Sequence, residues 1–276
     1  MEHIGIVACS DAQKISSLEQ NNSLVDFLKT TGRFVLLSDC IYEKENIFSG
    51  SGKEKADELM KLFKNPEITE IYDISGGDTA NEILDYLDYD AIKKSNAVYW
   101  GYSDLTTVIN AIYTMTGKSS VLYQIRNLCH DEFKNEQRER YLNRADLFNP
   151  KFEFISGESL KGTVVGGNIR CFLKLAGTRY FPDFKDKVLL LEAFHGKAEQ
   201  MITYLSQLKS CGVFDKINGI ILGTFTQMEK ENIKPDIISI IKLFLKDDMP
   251  IVKTDEIGHG FDSKAIYIGK EINLHK

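Results

Sequence analysis

Ala97-Val98-Tyr99-Trp100-Gly101-Tyr102-Ser103-Asp104-Leu105-Thr106 is the stretch whose reading decides the fold. Its first four residues form an apolar run of strand type, and from Leu105 to Met115 the apolar residues recur at helical spacing, so the chain must turn sharply at Ser103. A serine at such a turn has its hydroxyl lifted above the sheet. The next amide, at Asp104, stands at the positive end of a helix, where an oxyanion can be stabilised. The same serine could serve only as an N-cap. The usual elbow also has a glycine two residues after the serine, and here Leu105 occupies that place.

On either side of this turn, strand and helix signals alternate through the first 125 residues in the manner of a parallel sheet covered on both faces. Strands are expected near Ile4–Ala8, Phe34–Ser38, Ile68–Ile74, Ala97–Trp100 and Ser120–Tyr123, and helices near Ser23–Thr31, Glu54–Phe63, Thr79–Leu87 and Leu105–Thr116. The charged segment Asp131–Arg144 reads as a solvated helix or crossover. Beyond it come strands near Phe152–Ile155, Gly162–Val165, Val188–Leu191, Gly219–Leu222, Pro250–Thr254 and Ala265–Ile268. Helices are expected there near Asn168–Ala176, Ala198–Ser210 and Pro235–Leu245. The division predicted is an α/β domain over 1–125, a linker or crossover over 126–160, and a second domain over 161–276. A cleft between two such domains favours a small-molecule site.

The 276 residues, 43% hydrophobic and 27% charged, suit an ordinary globular protein with ample material for a core. A formal net charge of -6 gives no electrostatic reason to expect a nucleic-acid partner. Neither a signal-like amino terminus nor a membrane-length apolar window is present, so a cytoplasmic location with no membrane partner is expected. The five cysteines are far apart and form no C-x-x-C pair, which fits reduced thiols better than a disulfide framework or a zinc site. No metal or other cofactor is expected.

Three further places carry chemistry. Ser75-Gly76-Gly77-Asp78-Thr79 follows one strand and opens a helix, either as a plain tight turn or as a loop that aims amides at a developing negative charge. That loop and Ser103 end neighbouring strands, so both fall on the carboxyl edge where open α/β sheets place their sites. Glu192 ends the most apolar strand, where an ionised carboxylate needs a partner unless it is exposed. Gly258-His259-Gly260 offers that partner, and serine, glutamate and histidine in this chain order make an acyl-transfer triad recognisable by role. His195, three residues after Glu192, competes with His259 as the base.

With these residues goes a set of blocks in fixed order. They are Ser75-Gly76-Gly77, Gly101-Tyr102-Ser103-Asp104-Leu105-Thr106, Gly166-Gly167-Asn168, Leu175-Ala176-Gly177-Thr178, Leu190-Leu191-Glu192, Gly219-Ile220-Ile221-Leu222-Gly223 and Gly258-His259. In these blocks the chain resembles the LD-carboxypeptidase family of serine peptidases, which includes cytoplasmic muropeptide carboxypeptidases and microcin C immunity proteins. The resemblance implies an amino-terminal flavodoxin-like parallel-sheet domain and a smaller carboxyl-terminal mixed β/α domain, commonly as a homodimer. It puts the nucleophile on Ser103, the acidic member on Glu192, the base on His259, and the oxyanion amides on Asp104 and on Gly77 or Gly76. The substrate implied is a small muropeptide or another modified peptide. Candidates for binding its carboxylate are Arg126, Arg170 and Arg179, because a planar guanidinium suits that group. The chain departs from the family where many members have a Gly-Pro pair, here Gln124-Ile125, and where muropeptide enzymes have an arginine after the glutamate, here Glu199-Gln200.

Overall fold

Apolar runs separated by helices can lie parallel only if each crossover packs back on the sheet, and buried parallel strands then read as continuous hydrophobic segments. The structure, a computed structural model describing residues 2–44 and 47–276, is organised in this way twice. In the first sheet β1 (His3–Val7), β2 (Phe34–Leu37), β3 (Ile68–Asp73), β4 (Val98–Gly101) and β5 (Ser120–Leu122) run parallel in the order β2-β1-β3-β4-β5. That is the flavodoxin-like order, with its switch point between β1 and β3.

The second sheet is mixed. Its parallel centre is β7 (Ser159–Asn168), β8 (Lys187–Ala193), β9 (Gly219–Phe225) and β10 (Ile251–Lys253), and β6 (Glu153–Ser156) lies antiparallel on the β10 edge. Val188 to Leu191 of β8 are fully buried, as a strand covered on both faces requires. Two late strands part company: β11 (Ile266–Ile268) pairs antiparallel with β5 in the first sheet, whereas β12 (Glu271–His275) pairs antiparallel with β7 in the second. Within residues 126–160, β6 belongs to the second sheet and a helix spans Lys134–Leu142.

Several local expectations change. The segment after the Gly76-Gly77 loop is a 3-10 helix over Ala80–Tyr86, not an α-helix, and the helix expected over 168–176 is a short α-helix, Ile169–Phe172, continued by a 3-10 turn, Leu173–Leu175. β12 has no counterpart among the expected strands. Its alternating burial is that of an edge strand, and its polar side leaves few apolar residues to betray it.

The two halves are sewn together beside the serine turn. The helix Thr106–Thr116 lays Asn110 against β7, where its Nδ2 donates to the Gly166 carbonyl at 2.9 Å and its Oδ1 accepts the Gly166 N–H at 2.9 Å. One turn earlier, Thr106 Oγ1 accepts the Asn168 N–H at 3.1 Å. All of these groups are buried, so the bonds are shielded from competing water. They fix the start of the helix that follows β4 against the carboxyl end of β7.

Candidate active site

Ser103 has φ +54°, a left-handed conformation that non-glycine residues rarely adopt and that here is held by packing. The strand β4 ends at Gly101, a 3-10 turn covers Ser103–Leu105, and the α-helix follows from Thr106. Leu105 is fully buried and folds back over the strand end. A Cβ on Gly101 would lie 2.8 Å from the Leu105 Cβ. The small residue that this turn needs therefore stands before the serine, which is why a leucine is accommodated two residues after it.

Glu192 is fully buried near the end of β8, and its Oε2 accepts a hydrogen bond from His259 Nδ1 at 2.7 Å. A carboxylate can only accept, so Nδ1 carries the proton and a neutral imidazole presents Nε2 as an acceptor. The Ser103 hydroxyl lies 3.2 Å from that Nε2. The second glutamate oxygen, Oε1, has no hydrogen-bond partner among the described residues, which leaves His259 as the one group answering the buried charge. Hydroxyl, imidazole and carboxylate thus stand in one line, an arrangement able to activate an oxygen nucleophile.

The imidazole is also held on its faces. The Phe194 ring stacks on it with centroids 4.7 Å apart and planes at 22°, and Tyr102 packs at 4.5 Å on a tilt of 59°. Sequence reasoning missed both. Their signal was position alone: each lies one or two residues from a triad member. The loop around His259 rests on the charged helix Lys134–Leu142, part of the segment whose charge predicts a solvated helix or crossover. There Gln137, fully buried, donates through Nε2 to the carbonyls of Phe261 (2.9 Å) and Ser263 (3.1 Å) while its Oε1 accepts from the Tyr123 hydroxyl at 2.8 Å. Arg140 Nη1 donates to the Asp262 carbonyl at 2.6 Å.

A cleft of about 450 Å³ opens at the serine, lined by Gly77, Asp78, Ser103, Asn168, Arg170, Phe194, His195 and His259. Among the described residues, no protein group accepts the Gly77 or the Gly76 N–H, whereas the Asp78 N–H is taken by Asp11 Oδ1 at 3.1 Å. Gly77 has φ +126°, and a Cβ there would fall on the Asp11 carboxylate, so only glycine fits. The Asp104 amide lies in the first helical turn, where N–H groups lack intrahelical partners. Its side chain points inward and is fully buried.

The three arginines separate. Arg170 borders the cleft, donating to the Asp78 carboxylate and, at 3.3 Å, to the Gly77 carbonyl. This hydrogen bond holds the Asp78 carboxyl below its usual range. Arg126 reaches Gln13 Oε1 at 3.2 Å and Arg179 pairs with Asp85, and neither is among the residues lining the cleft. His195 is exposed on the cleft wall against Phe194 and makes no hydrogen bond to Ser103 or Glu192. No cluster of three or more potential metal ligands occurs among the described residues.

Residues 4–123 match the LD-carboxypeptidase N-terminal domain and residues 161–274 match the LD-carboxypeptidase C-terminal domain. The chain belongs to the LD-carboxypeptidase family. Its relatives in the family carry two kinds of name. The chain is 28% identical to the microcin C7 self-immunity protein MccF of Escherichia coli, over 80% of this chain and 74% of that protein. It is 25% identical to a Bacillus subtilis protein named "probable murein peptide carboxypeptidase", over 90% of this chain and 82% of that one. In fold it is similar to MccF in complex with glutamyl sulfamoyl guanosine, with a TM-score of 0.85, 21% identity, and coverage of 99% of this chain and 93% of the other. The muramoyltetrapeptide carboxypeptidase of Oxalobacter formigenes superposes nearly as well, with a TM-score of 0.84, 20% identity, and coverage of 99% and 95%. The LD-carboxypeptidase fold thus carries both muropeptide and immunity proteins. Among the described residues no helix is long and apolar enough to cross a membrane.

Proposed function

We propose that this member of the LD-carboxypeptidase family is a serine hydrolase that releases the terminal D-alanine from murein tetrapeptides. The observation that carries the reading is the line from Ser103 Oγ through His259 to the buried Glu192, with bonds of 3.2 and 2.7 Å. Ser103 Oγ attacks the carbonyl carbon of the scissile amide while His259 Nε2 takes the hydroxyl proton. The tetrahedral oxyanion is met by the Asp104 amide and by an amide of the Gly76-Gly77 loop. Collapse breaks the C–N bond, and His259 passes its proton to the leaving nitrogen of D-alanine. A water then repeats the sequence on the acyl-enzyme, which releases the shortened peptide as its carboxylate and restores the serine. Glu192 orients the imidazole and stabilises it while it is charged. Arg170, alone of the three arginines, borders the cleft and can face the substrate carboxylate with the N–H groups that it does not spend on Asp78 and Gly77.

A Glu192→Gln variant is expected to fold and to lose at least about a hundredfold in turnover. Glutamine keeps a hydrogen bond to Nδ1 but cannot neutralise the imidazolium and can impose the wrong tautomer. Turnover within a few-fold of the parent, measured on folded protein, would remove Glu192 from the mechanism.

A second reading rests on Phe194, whose ring is 40% exposed in the cleft and offers an aromatic surface to a nucleobase. It makes the protein an immunity hydrolase acting on an aminoacyl or peptidyl nucleotide. Mass spectrometry after incubation with a muropeptide pool, and separately with aspartyl sulfamoyl adenosine, separates the two. Loss of one alanine from tetrapeptides alone supports the first reading. Cleavage of the nucleotide conjugate alone supports the second.

A further inference from the structure

The oxyanion loop comes from the first sheet, yet the groups that hold it come from the second half of the chain. The helical segment Ile169–Leu175 presents Arg170 and Lys174 four residues apart, on one face. Arg170 donates to the Gly77 carbonyl at 3.3 Å and to the Asp78 carboxylate. Lys174 Nζ donates to the Asp78 carbonyl at 2.7 Å and to the fully buried Asp104 carboxylate. Asp104 also accepts the Ser10 hydroxyl at 2.7 Å and the Ala80 N–H at 2.7 Å. The one carboxylate therefore joins the residue after the nucleophile to the loop following β1, to the far end of the glycine loop, and to a lysine of the opposite half.

We propose that Arg170 and Lys174 form a two-cation clamp that positions both oxyanion donors, the Asp104 amide and the Gly76-Gly77 loop, and that the hole is complete only with the second half docked. This rests on the reading of Ser103 as the nucleophile. With the Gly77 and Asp78 carbonyls held by cations and the Asp78 N–H held by Asp11, the peptide planes on either side of Asp78 are fixed. The Gly76 and Gly77 N–H groups, which no protein group accepts among the described residues, are free to meet an oxyanion. Preorganised donors are effective because they need no rearrangement when charge develops. Arg170 and Lys174 are positioning residues: they act through Gly77, Asp78 and Asp104.

The test is the pre-steady-state burst of 4-nitrophenolate from 4-nitrophenyl acetate. In that reaction Ser103 Oγ bonds to the acetyl carbon, the ester C–O bond breaks, and the Ser103 proton is held on His259. This substrate has no carboxylate, so any contact between Arg170 and a peptide terminus does not enter. The parent protein is expected to give a burst that Ser103→Ala abolishes. Arg170→Met and Lys174→Met should each slow the burst rate constant about tenfold or more while leaving its amplitude, which counts folded sites, near that of the parent. Arg170→Lys, which keeps the charge, should recover part of the rate. Lys174→Met exposes Asp104 to the cost of an unpaired buried charge, so Arg170→Met, on a half-exposed side chain, carries the test if the lysine variant does not fold. Burst rates equal to the parent's in the folded variants overturn the clamp, whatever happens to the melting temperature. A parent burst that survives in Ser103→Ala overturns instead the nucleophile reading beneath it.

Discussion

Ser103→Ala is expected to leave the protein folded and to lower its hydrolytic rate by at least about a thousandfold. The side chain makes one hydrogen bond, to His259, so its removal takes away no packing and only one polar contact. Alanine must still adopt φ +54°, which costs of order 1 to 3 kcal/mol at a position the surroundings over-determine. The serine already bears that strain, so the melting temperature should move little. Water in place of the hydroxyl would have to be bound, oriented and deprotonated in a single step, with no acyl-enzyme to divide the barrier. Steady-state hydrolysis and the thermal melt, measured on the same preparation, check both halves of the statement. Turnover near the parent's would show that the strained serine is structural.

The second large effect is expected at His259. Among the described residues, His259→Ala removes the one hydrogen-bond partner of the Ser103 hydroxyl and leaves Glu192 as a buried carboxylate with no partner. A rate loss of at least about a thousandfold should therefore be accompanied by a lower melting temperature. His195→Ala removes an exposed side chain on the cleft wall and should cost less than about tenfold. The comparison discriminates between the two histidines because both border the same cleft, while only His259 bridges Ser103 and Glu192. A severe loss for His195→Ala with a mild one for His259→Ala would reverse the assignment.

Strand ends were legible in the sequence wherever a continuous apolar run met a turn signal. Ser103, Glu192 and the glycine loop all stand at such ends, and Gly258 and Gly260 marked the His259 loop. What the local pattern does not contain is who meets whom. Nothing in Ile266–Ile268 says that it joins β5, while Glu271–His275, a few residues later, joins β7. Arg126, Arg170 and Arg179 have the same chemistry in sequence, and only the packing of Ile169–Leu175 against the glycine loop brings Arg170 to the cleft. The charged face of Lys134–Leu142 concealed Gln137, a polar residue buried because it bridges Tyr123 and the His259 loop. Polar groups that serve as struts leave no hydrophobic periodicity, and the partners of Arg170 and the His259-loop partners of Gln137 lie far away in the chain.

Peptide mapping of the protein quenched during turnover of 4-nitrophenyl acetate tests the central claim most directly. With so good a leaving group, attack is fast and hydrolysis of the ester intermediate limits the cycle, so the acyl-enzyme accumulates. The account predicts a single acetyl group on the peptide containing Ser103, absent in Ser103→Ala and lost once the ester is exhausted. Turnover with no acetyl on Ser103, or the same labelling of another residue in Ser103→Ala, would contradict it.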